Sequence, residues 1–423
     1  MQDSHRKLIY SIVAIFTLLQ LVILLIFGYT PYPDSNGYIL LAKDSLIYHE
    51  LYPIASKINE LAFIWNIGAI NAVVITLKLF GSIKPLLFLY ALMKGAMAWL
   101  IYDITKLLFN QKTALITLIL FVIYPANYGE CTSLQSELPF VFFILCSIAL
   151  SLHHHPLLGG VFIALGNWFR PMGLVFLLTM IIYFIIVNRK KILPLIGGYL
   201  LVILIIGGLT YHRTGYFIYQ AKTGWMSLLQ YSLDNDSHQI RKNKKSNNIN
   251  YIFSKDEKSL NSVQKDSLWR SKCIDWIVTH PKEYIAQMPK KLAKTYISDN
   301  VNFCTYLPDK EKSSYMYDQV SMKRLFSNFP SFTSVQWLTV INLIYYYLIL
   351  SLSFAGCITL IKHKEWQKLS IPLFSIVIGT IVLLLFGHGE TRFHIPFMPF
   401  IIILAAYFLE RYFILKLENI NNK

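Results

Sequence analysis

The sequence predicts an all-α polytopic membrane protein. Hydrophobic residues make up 55% of the 423 positions and charged residues only 15%, with a mean hydropathy of +0.47. A soluble protein of this length needs far fewer apolar side chains for its core. Apolar stretches of about 20 residues, the length of a membrane-spanning helix, begin at Leu8 and recur as far as Leu415.

Ten stretches are predicted to cross the membrane, with both termini in the cytoplasm. The first is too long for a signal-peptide core and lacks a small-residue cleavage site before Thr30, so we expect a retained anchor. This count places four short basic connections inside, as the positive-inside rule requires. The predicted crossings lie near residues 8–28, 85–105, 113–126, 138–152, 157–169, 172–187, 192–211, 336–361, 370–387 and 396–415.

A further apolar stretch, 61–80, is predicted to lie in or dip into the outer interface. Counting it as a crossing would move the basic cluster at Arg189 to the outside, against the positive-inside rule. The expected architecture is therefore a bundle of about ten to eleven transmembrane helices with outer interfacial helices.

Three regions follow from this topology: an N-terminal transmembrane module at 1–211 with its first outer loop at 29–84, a long, mainly helical extracytoplasmic region at 212–335, and C-terminal transmembrane helices at 336–423. The long region carries half of the formal net charge of +16. Loops longer than about 60 residues escape the positive-inside rule, so this basicity does not assign the region to the cytoplasm.

Two segments of the long region carry predictions of their own. Residues 241–250 are rich in Lys, Asn and Ser, which predicts a mobile linker. Residues 276–297 place Tyr284, Met288 and Leu292 at fourfold spacing with lysines on the flank, which predicts an amphipathic helix on an anionic lipid surface. The basic residues are spread through loops, so lipid headgroups or a phosphate-bearing lipid, not nucleic acid, are the expected partners.

A dense polar cluster lies between two apolar runs near the C-terminus. Residues 387–399 read GHGETRFHIPFMP and include His388, Glu390, Arg392 and His394. Charge held at a membrane boundary is costly and usually serves function. The histidines could donate to a phosphate or bind a metal, but zinc usually takes three or four ligands. No cofactor is predicted with certainty, and a divalent cation stays open.

Three other charged residues lie at the ends of apolar runs, on the same predicted outer face as this cluster. Asp34 could accept a proton from a hydroxyl substrate, or simply cap a helix. Glu137 could position an acceptor or bind a cation, or complement a helix dipole. Arg170 keeps its proton, so it must face an anion or water. That anion is either Glu390 or Glu137, or a phosphate oxygen of a lipid substrate.

The order of these motifs resembles the GT-C superfamily of polytopic glycosyltransferases, in particular bacterial relatives of the dolichyl-phosphate-mannose protein O-mannosyltransferases and of the lipid A aminoarabinose transferase. The chain departs from the pattern because Asp34 has no acidic neighbour before Asp44 and because its largest loop is internal. The matching features are Asp34 with Tyr38 and Ala42, Tyr124-Pro125 to Ser136-Glu137, Arg170-Pro171-Met172-Gly173, and Gly389-Glu390-Thr391-Arg392-Phe393 leading into Pro396 and Pro399.

The resemblance implies an inverting enzyme of the bacterial inner membrane that moves a sugar from a polyprenyl-phosphate carrier to a glycan, lipid or protein acceptor on the outer side. Asp34 would be the base or acceptor-orienting acid, and Glu137 would lie beside the acceptor. Arg170 and Arg392, with His388, would hold the departing lipid phosphate. The expected acceptor-side or supporting residues are Tyr38, Glu130, Glu390 and His394.

Other classes remain as alternatives. A flippase or transporter for a lipid-linked glycan would show paired halves and functional charges deep in the membrane, and neither pattern is evident. A ligase or polymerase would use similar arginines with a larger donor. An O-acyltransferase would use His388 or His212 as a base and leave Asp34 and Arg170 without a role. The chain has no GxSxG elbow, Walker P-loop or GxGxxG fingerprint.

Overall fold

The structure, a computed structural model, describes residues 2–229, 257, 259–308, 322–327, 329 and 331–421. These residues form an all-helical bundle, which confirms the predicted fold class. The helices are α1 (Gln2–Phe27), α2 (Pro33–Ile47), α3 (Ile67–Phe80), α4 (Lys84–Leu108), α5 (Gln111–Ile123), α6 (Glu137–Leu152), α7 (Pro156–Phe169), α8 (Gly173–Val187), α9 (Ile192–Thr214), α10 (Gly224–Leu228), α11 (Ser262–Thr279), α12 (Pro281–Ala286), α13 (Met288–Tyr296), α14 (Met322–Ser327), α15 (Ser334–Lys362), α16 (Trp366–Phe386) and α17 (Met398–Asn421).

Within the described ranges, six helices are long and apolar enough to cross a membrane, or seven if α5 and the bent segment after it count as one span. These six contain α1, α4, α9, α15, α16 and α17. Helices α3, α6, α7 and α8 are apolar but shorter, with 17 residues or fewer. All ten segments predicted to cross are helical, and the number of crossings stays a prediction.

Two breaks in the helical pattern place charged residues at helix ends. Helix α5 stops before Tyr124-Pro125, and the chain makes two single turns before α6 begins at Glu137. A carboxylate in the first turn of a helix complements the helix dipole. Helix α7 stops at Phe169, because Arg170 adopts an extended backbone before Pro171. Each break therefore leaves one charged side chain at the boundary of an apolar helix.

Helices α7 and α9 approach closely through a reciprocal pair of glycines. A Cβ atom on Gly160 would lie 1.9 Å from the Leu195 carbonyl oxygen, and one on Gly198 would lie 2.0 Å from the Leu157 carbonyl oxygen. Small residues allow such backbone contact between membrane helices. This pair fixes α7, and with it the turn that carries Arg170.

Gly198→Ala is expected to destabilise the protein by about 1–3 kcal/mol, because the new methyl group must push two helix backbones apart. Gly197→Ala is the matched control, since a Cβ atom at 197 meets nothing within 4 Å. Thermal unfolding of both variants in detergent measures the difference. Equal midpoints for the two variants would contradict the close packing.

The long region does not contain the single amphipathic helix predicted at 276–297. That prediction is wrong, because the segment divides between α11, α12 and α13, with breaks before Pro281 and Pro289. Proline removes a backbone donor and clashes with the preceding turn. Lys291, predicted on an exposed basic flank, has only 4% of its surface exposed. The predicted linker at 241–250 lies outside the described residues, and the division at 211 and 335 stays a prediction.

Candidate active site

Two arginines and three carboxylates from four separate segments form one ionic cluster. Arg170 Nη1 lies 2.5 Å from Glu137 Oε1. Arg392 Nη1 lies 2.6 Å from Asp34 Oδ2, and Arg392 Nε lies 3.0 Å from Glu390 Oε1. Asp34 lies in the first turn of α2, Glu137 at the start of α6, Arg170 in the turn after α7, and the other two residues in the connection between α16 and α17.

Glu137 is the buried centre of this cluster. Only 1% of its side chain is exposed, against 11% for Arg170 and 14% for Arg392. Its Oε1 atom lies 3.7 Å from Arg392 Nε as well as in contact with Arg170. A buried carboxylate is costly unless it is paired and hydrogen-bonded. The two arginines therefore supply the charge that allows Glu137 to remain in the protein interior.

Glu390 is the most exposed carboxylate of the ionic cluster, with 38% of its side chain exposed. Partial burial acts to raise its pKa, but Arg392, His388 and Arg170 outweigh this effect and lower the pKa to about 2. His388 Nε2 lies 3.5 Å from Glu390 Oε2. His388 and Arg170 also contact the ring of Phe393, the arginine at 5.2 Å from its centroid. Glu390 is thus ionised throughout the physiological pH range.

The cluster forms one wall of a cavity of about 870 Å³. This is the size of a cavity that holds a drug-sized ligand. Asp34, Arg170, His388, Glu390 and Arg392 line the cavity, whereas Glu137 lies behind them. The remaining wall is largely apolar and comes from the first outer loop, the long region and α16, with Phe63, Trp65, Met226, Trp269, Val382 and Phe386 among its residues.

Tyr38 lies behind the cavity wall and is linked to it by hydrogen bonds. Asn66 Nδ2 donates to Tyr38 Oη at 2.7 Å and to Ser136 Oγ at 3.1 Å. Arg170 Nη1 donates to the same Ser136 Oγ at 3.4 Å. Tyr38 is therefore connected to Arg170 through a chain of three hydrogen bonds. Asn66 was not identified from the sequence. The signal available there was a polar amide side chain within the apolar stretch 61–80.

Glu130 and His394 lie away from the large cavity. Glu130 forms a short ion pair with Lys94, and both side chains are almost fully buried. His394 is fully buried, donates from Nδ1 to the Thr295 carbonyl oxygen at 2.7 Å, and lies 3.8 Å from Asp299 Oδ2. Glu130 thus joins the connection between α5 and α6 to α4, and His394 joins the connection between α16 and α17 to α13.

Lys94 is a residue that the sequence analysis overlooked. It lies within the apolar helix α4, where an ionisable side chain requires a partner. Its partner Glu130 is 36 positions away. The lysine in the middle of an apolar run was the available signal. Two charged side chains are thus buried in this chain, which the sequence analysis did not predict. Each of them, Lys94 and Glu130, has the other as its ion-pair partner.

The described residues contain no group of three or more His, Cys, Asp or Glu side chains arranged to hold a metal ion. The carboxylates that line the large cavity are bound by arginine. The residues present therefore do not fit the divalent cation that the sequence left open, and no chemical step is derived from one.

Comparisons with known proteins bear on the fold. Residues 69–210, or 142 of 423, match the family model described as dolichyl-phosphate-mannose-protein mannosyltransferase. A crystal structure of the Archaeoglobus fulgidus oligosaccharyltransferase, tethered with an acceptor peptide containing the NVT sequon, matches 96% of this chain and 49% of that chain. Its TM-score is 0.50 and its sequence identity 13%.

The chain has a GT-C fold. A second structure, the archaeal oligosaccharyltransferase AglB from Archaeoglobus fulgidus in complex with an inhibitory peptide and a dolichol-phosphate, matches this GT-C protein with a TM-score of 0.48 and 12% identity, over 96% of this chain and 50% of that chain. This chain thus spans about half the length of the solved structures it matches. No curated protein matches it. The resemblance found in the order of the motifs is confirmed.

The family model covers only part of the ionic cluster of this chain. Glu137 and Arg170 lie within the matched residues 69–210, whereas Asp34, Glu390 and Arg392 lie outside them. The roles of all five residues stay predictions.

Proposed function

We propose that this GT-C protein is an inverting glycosyltransferase of a bacterial inner membrane, which moves a sugar from a polyprenyl-phosphate carrier to an acceptor on the extracytoplasmic side. One observation carries the proposal: Asp34, Arg170 and Arg392 share a wall of a cavity that is otherwise largely apolar. A prenyl-phosphate sugar has the same two-part chemistry, with an anionic head and an apolar tail. The matched family model, whose description names a dolichyl-phosphate-linked sugar, supports this donor class.

In this proposal Asp34 is the general base. The acceptor hydroxyl oxygen attacks the anomeric carbon, the bond from that carbon to the carrier phosphate oxygen breaks, and the Asp34 carboxylate takes the hydroxyl proton. Attack opposite the departing phosphate inverts the anomeric carbon. Asp34 lines the cavity with a fifth of its side chain exposed, which is the access that proton transfer requires.

Arg170 and Arg392 bind the departing phosphate, and His388 lies beside them on the cavity wall. Fixed cations stabilise the charge that develops on the leaving group. Glu137, predicted beside the acceptor, lies behind both arginines and contacts them through the same oxygen. We therefore assign Glu137 to orienting the two guanidinium groups. Glu390 faces the cavity beside them.

The test is native mass spectrometry of the detergent-purified protein with added polyprenyl phosphate. Wild type is expected to bind the lipid, and Arg170→Ala to bind it at least tenfold more weakly, because a charge-assisted contact to phosphate is lost. Arg213→Ala is the matched control, since Arg213 Nη1 donates to the Leu51 carbonyl oxygen and does not line the cavity. Equal binding by wild type and Arg170→Ala would overturn the phosphate site.

A transfer assay then separates the proposal from its alternatives. A transferase releases free polyprenyl phosphate and a glycosylated acceptor, whereas a flippase leaves the donor intact. A ligase or polymerase transfers more than one sugar, which the mass of the product reveals. Donor turnover without acceptor dependence would contradict the proposed reaction.

A further inference from the structure

The last turn of α16 is held by two side chains from the long region. Lys291 Nζ donates to the Leu384 carbonyl oxygen at 3.2 Å, and Tyr284 Oη donates to the Leu385 carbonyl oxygen at 2.6 Å. The final four carbonyl groups of a helix have no partner within it. Lys291 and Tyr284 thus provide partners for two adjacent carbonyls of this kind.

Lys291 is an unusual residue for such a contact because it is 4% exposed. Its Nζ atom lies 5.3 Å from the centroid of the Tyr284 ring, and burial lowers its pKa to about 8. Burying an ammonium group is costly unless it is compensated. The negative end of the α16 dipole and the aromatic face provide that compensation.

The chain segment that follows α16 carries two residues of the ionic cluster, together with His388. Residues 387–392 begin directly after Phe386 and include His388, Glu390 and Arg392. Gly389 has a φ of +74°, and a Cβ atom there would lie 3.0 Å from both Cα and the carbonyl oxygen of Lys291. Lys291 therefore touches this segment through its backbone and the turn before it through its ammonium group.

We propose that Lys291 is a positioning residue for residues 387–392. Its ammonium group fixes the end of α16 and its backbone packs against Gly389, so that His388, Glu390 and Arg392 are directed at the cavity. The Lys291 side chain contacts the Leu384 carbonyl group and the Tyr284 ring, so we place its effect on the charged groups in the backbone that joins α16 to them. The effect on turnover rests on the proposed function, whereas the effect on the segment does not.

The test compares Lys291→Met with Lys290→Met, a neighbouring lysine that is exposed. Hydrogen exchange of peptides covering 384–392 is expected to become at least tenfold faster in Lys291→Met only, because the last turn of α16 loses a partner. Turnover is expected to fall by about 10- to 100-fold, the effect of a misplaced catalytic group. Unchanged exchange in that segment would overturn the proposal.

Two further variants separate positioning from general destabilisation. Lys291→Arg keeps a cationic donor, so it is expected to retain slow exchange in 384–392 and most of the turnover. Fast exchange in Lys291→Arg would overturn the role of the charge. Gly389→Ala perturbs the same contact from the other side and tests it even if Lys291→Met does not fold. If Lys291→Met exchanges faster in 384–392 but wild type transfers no sugar, the proposed function is refuted and the positioning role of Lys291 still holds.

Discussion

Asp34→Asn is expected to reduce sugar transfer by about 10²- to 10⁴-fold, the usual loss when a general base is removed. The amide keeps the shape of the carboxylate and can still accept a hydrogen bond from Arg392, which lies 2.6 Å away. It cannot take up the acceptor proton. Arg392 also keeps Glu390 at 3.0 Å, so the variant is expected to fold and insert. Initial rates on purified protein, with size-exclusion profiles as the folding check, give the comparison.

Asp44→Asn is the matched control for this substitution. Asp44 lies on the same helix, α2, but does not line the cavity. We expect it to retain wild-type rates. Near-normal turnover by Asp34→Asn would remove Asp34 from the mechanism, and would leave the cavity without the base that we assign.

Arg170→Met is expected to lower both stability and transfer. It leaves Glu137, with 1% of its side chain exposed, facing only the more distant Arg392. Removing one partner of a buried ion pair costs about 3–5 kcal/mol. Loss of one fixed group that stabilises transition-state charge lowers the rate by about 10²- to 10³-fold. Thermal unfolding in detergent and initial rates measure the two effects separately.

Adding Glu137→Gln to Arg170→Met separates the two effects. The double variant removes one positive and one negative charge together, so most of the lost stability is expected to return. Transfer is not expected to return, since a phosphate would still lack its arginine. Recovery of transfer in the double variant would mean that Arg170 serves only as the ion-pair partner of Glu137. The sequence analysis gave this structural role as the alternative to phosphate binding.

Sequence reasoning was strongest where a local pattern decides the structure. The apolar runs became helices, and one break fell at Arg170-Pro171, between two predicted crossings, because proline is well suited to the first turn of a helix. Helix α5 instead stops at Ile123, before Tyr124-Pro125, although the predicted crossing ran to residue 126. Charges at the ends of those runs could be grouped on one face by topology alone. The all-helical class and the GT-C resemblance followed from these patterns.

Sequence reasoning was weakest where a contact joins distant segments. The fourfold spacing in 276–297 suggested one lipid-facing helix, but it ignored the two prolines that divide that segment. The burial of Lys291 depends on where α16 ends, nearly 100 positions later. Likewise Lys94 of α4 pairs with Glu130, which lies in the connection between α5 and α6. The periodicity of a single helix does not predict such pairs, because each pair depends on how separate segments pack in the folded protein.

The shared contact of Glu137 with both arginines makes assembly of the ionic cluster depend on the helices that follow the long region. Arg392 lies 222 positions after Arg170, in the connection between α16 and α17. Until those helices pack, Glu137 has only one of its two cations and Asp34 has none from this cluster. An isolated fragment spanning the family-matched residues 69–210 would therefore hold an anionic centre with a single counter-charge. The proposed site therefore needs segments from both sides of the long region, and residues 387–392 are synthesised after the other segments that form it.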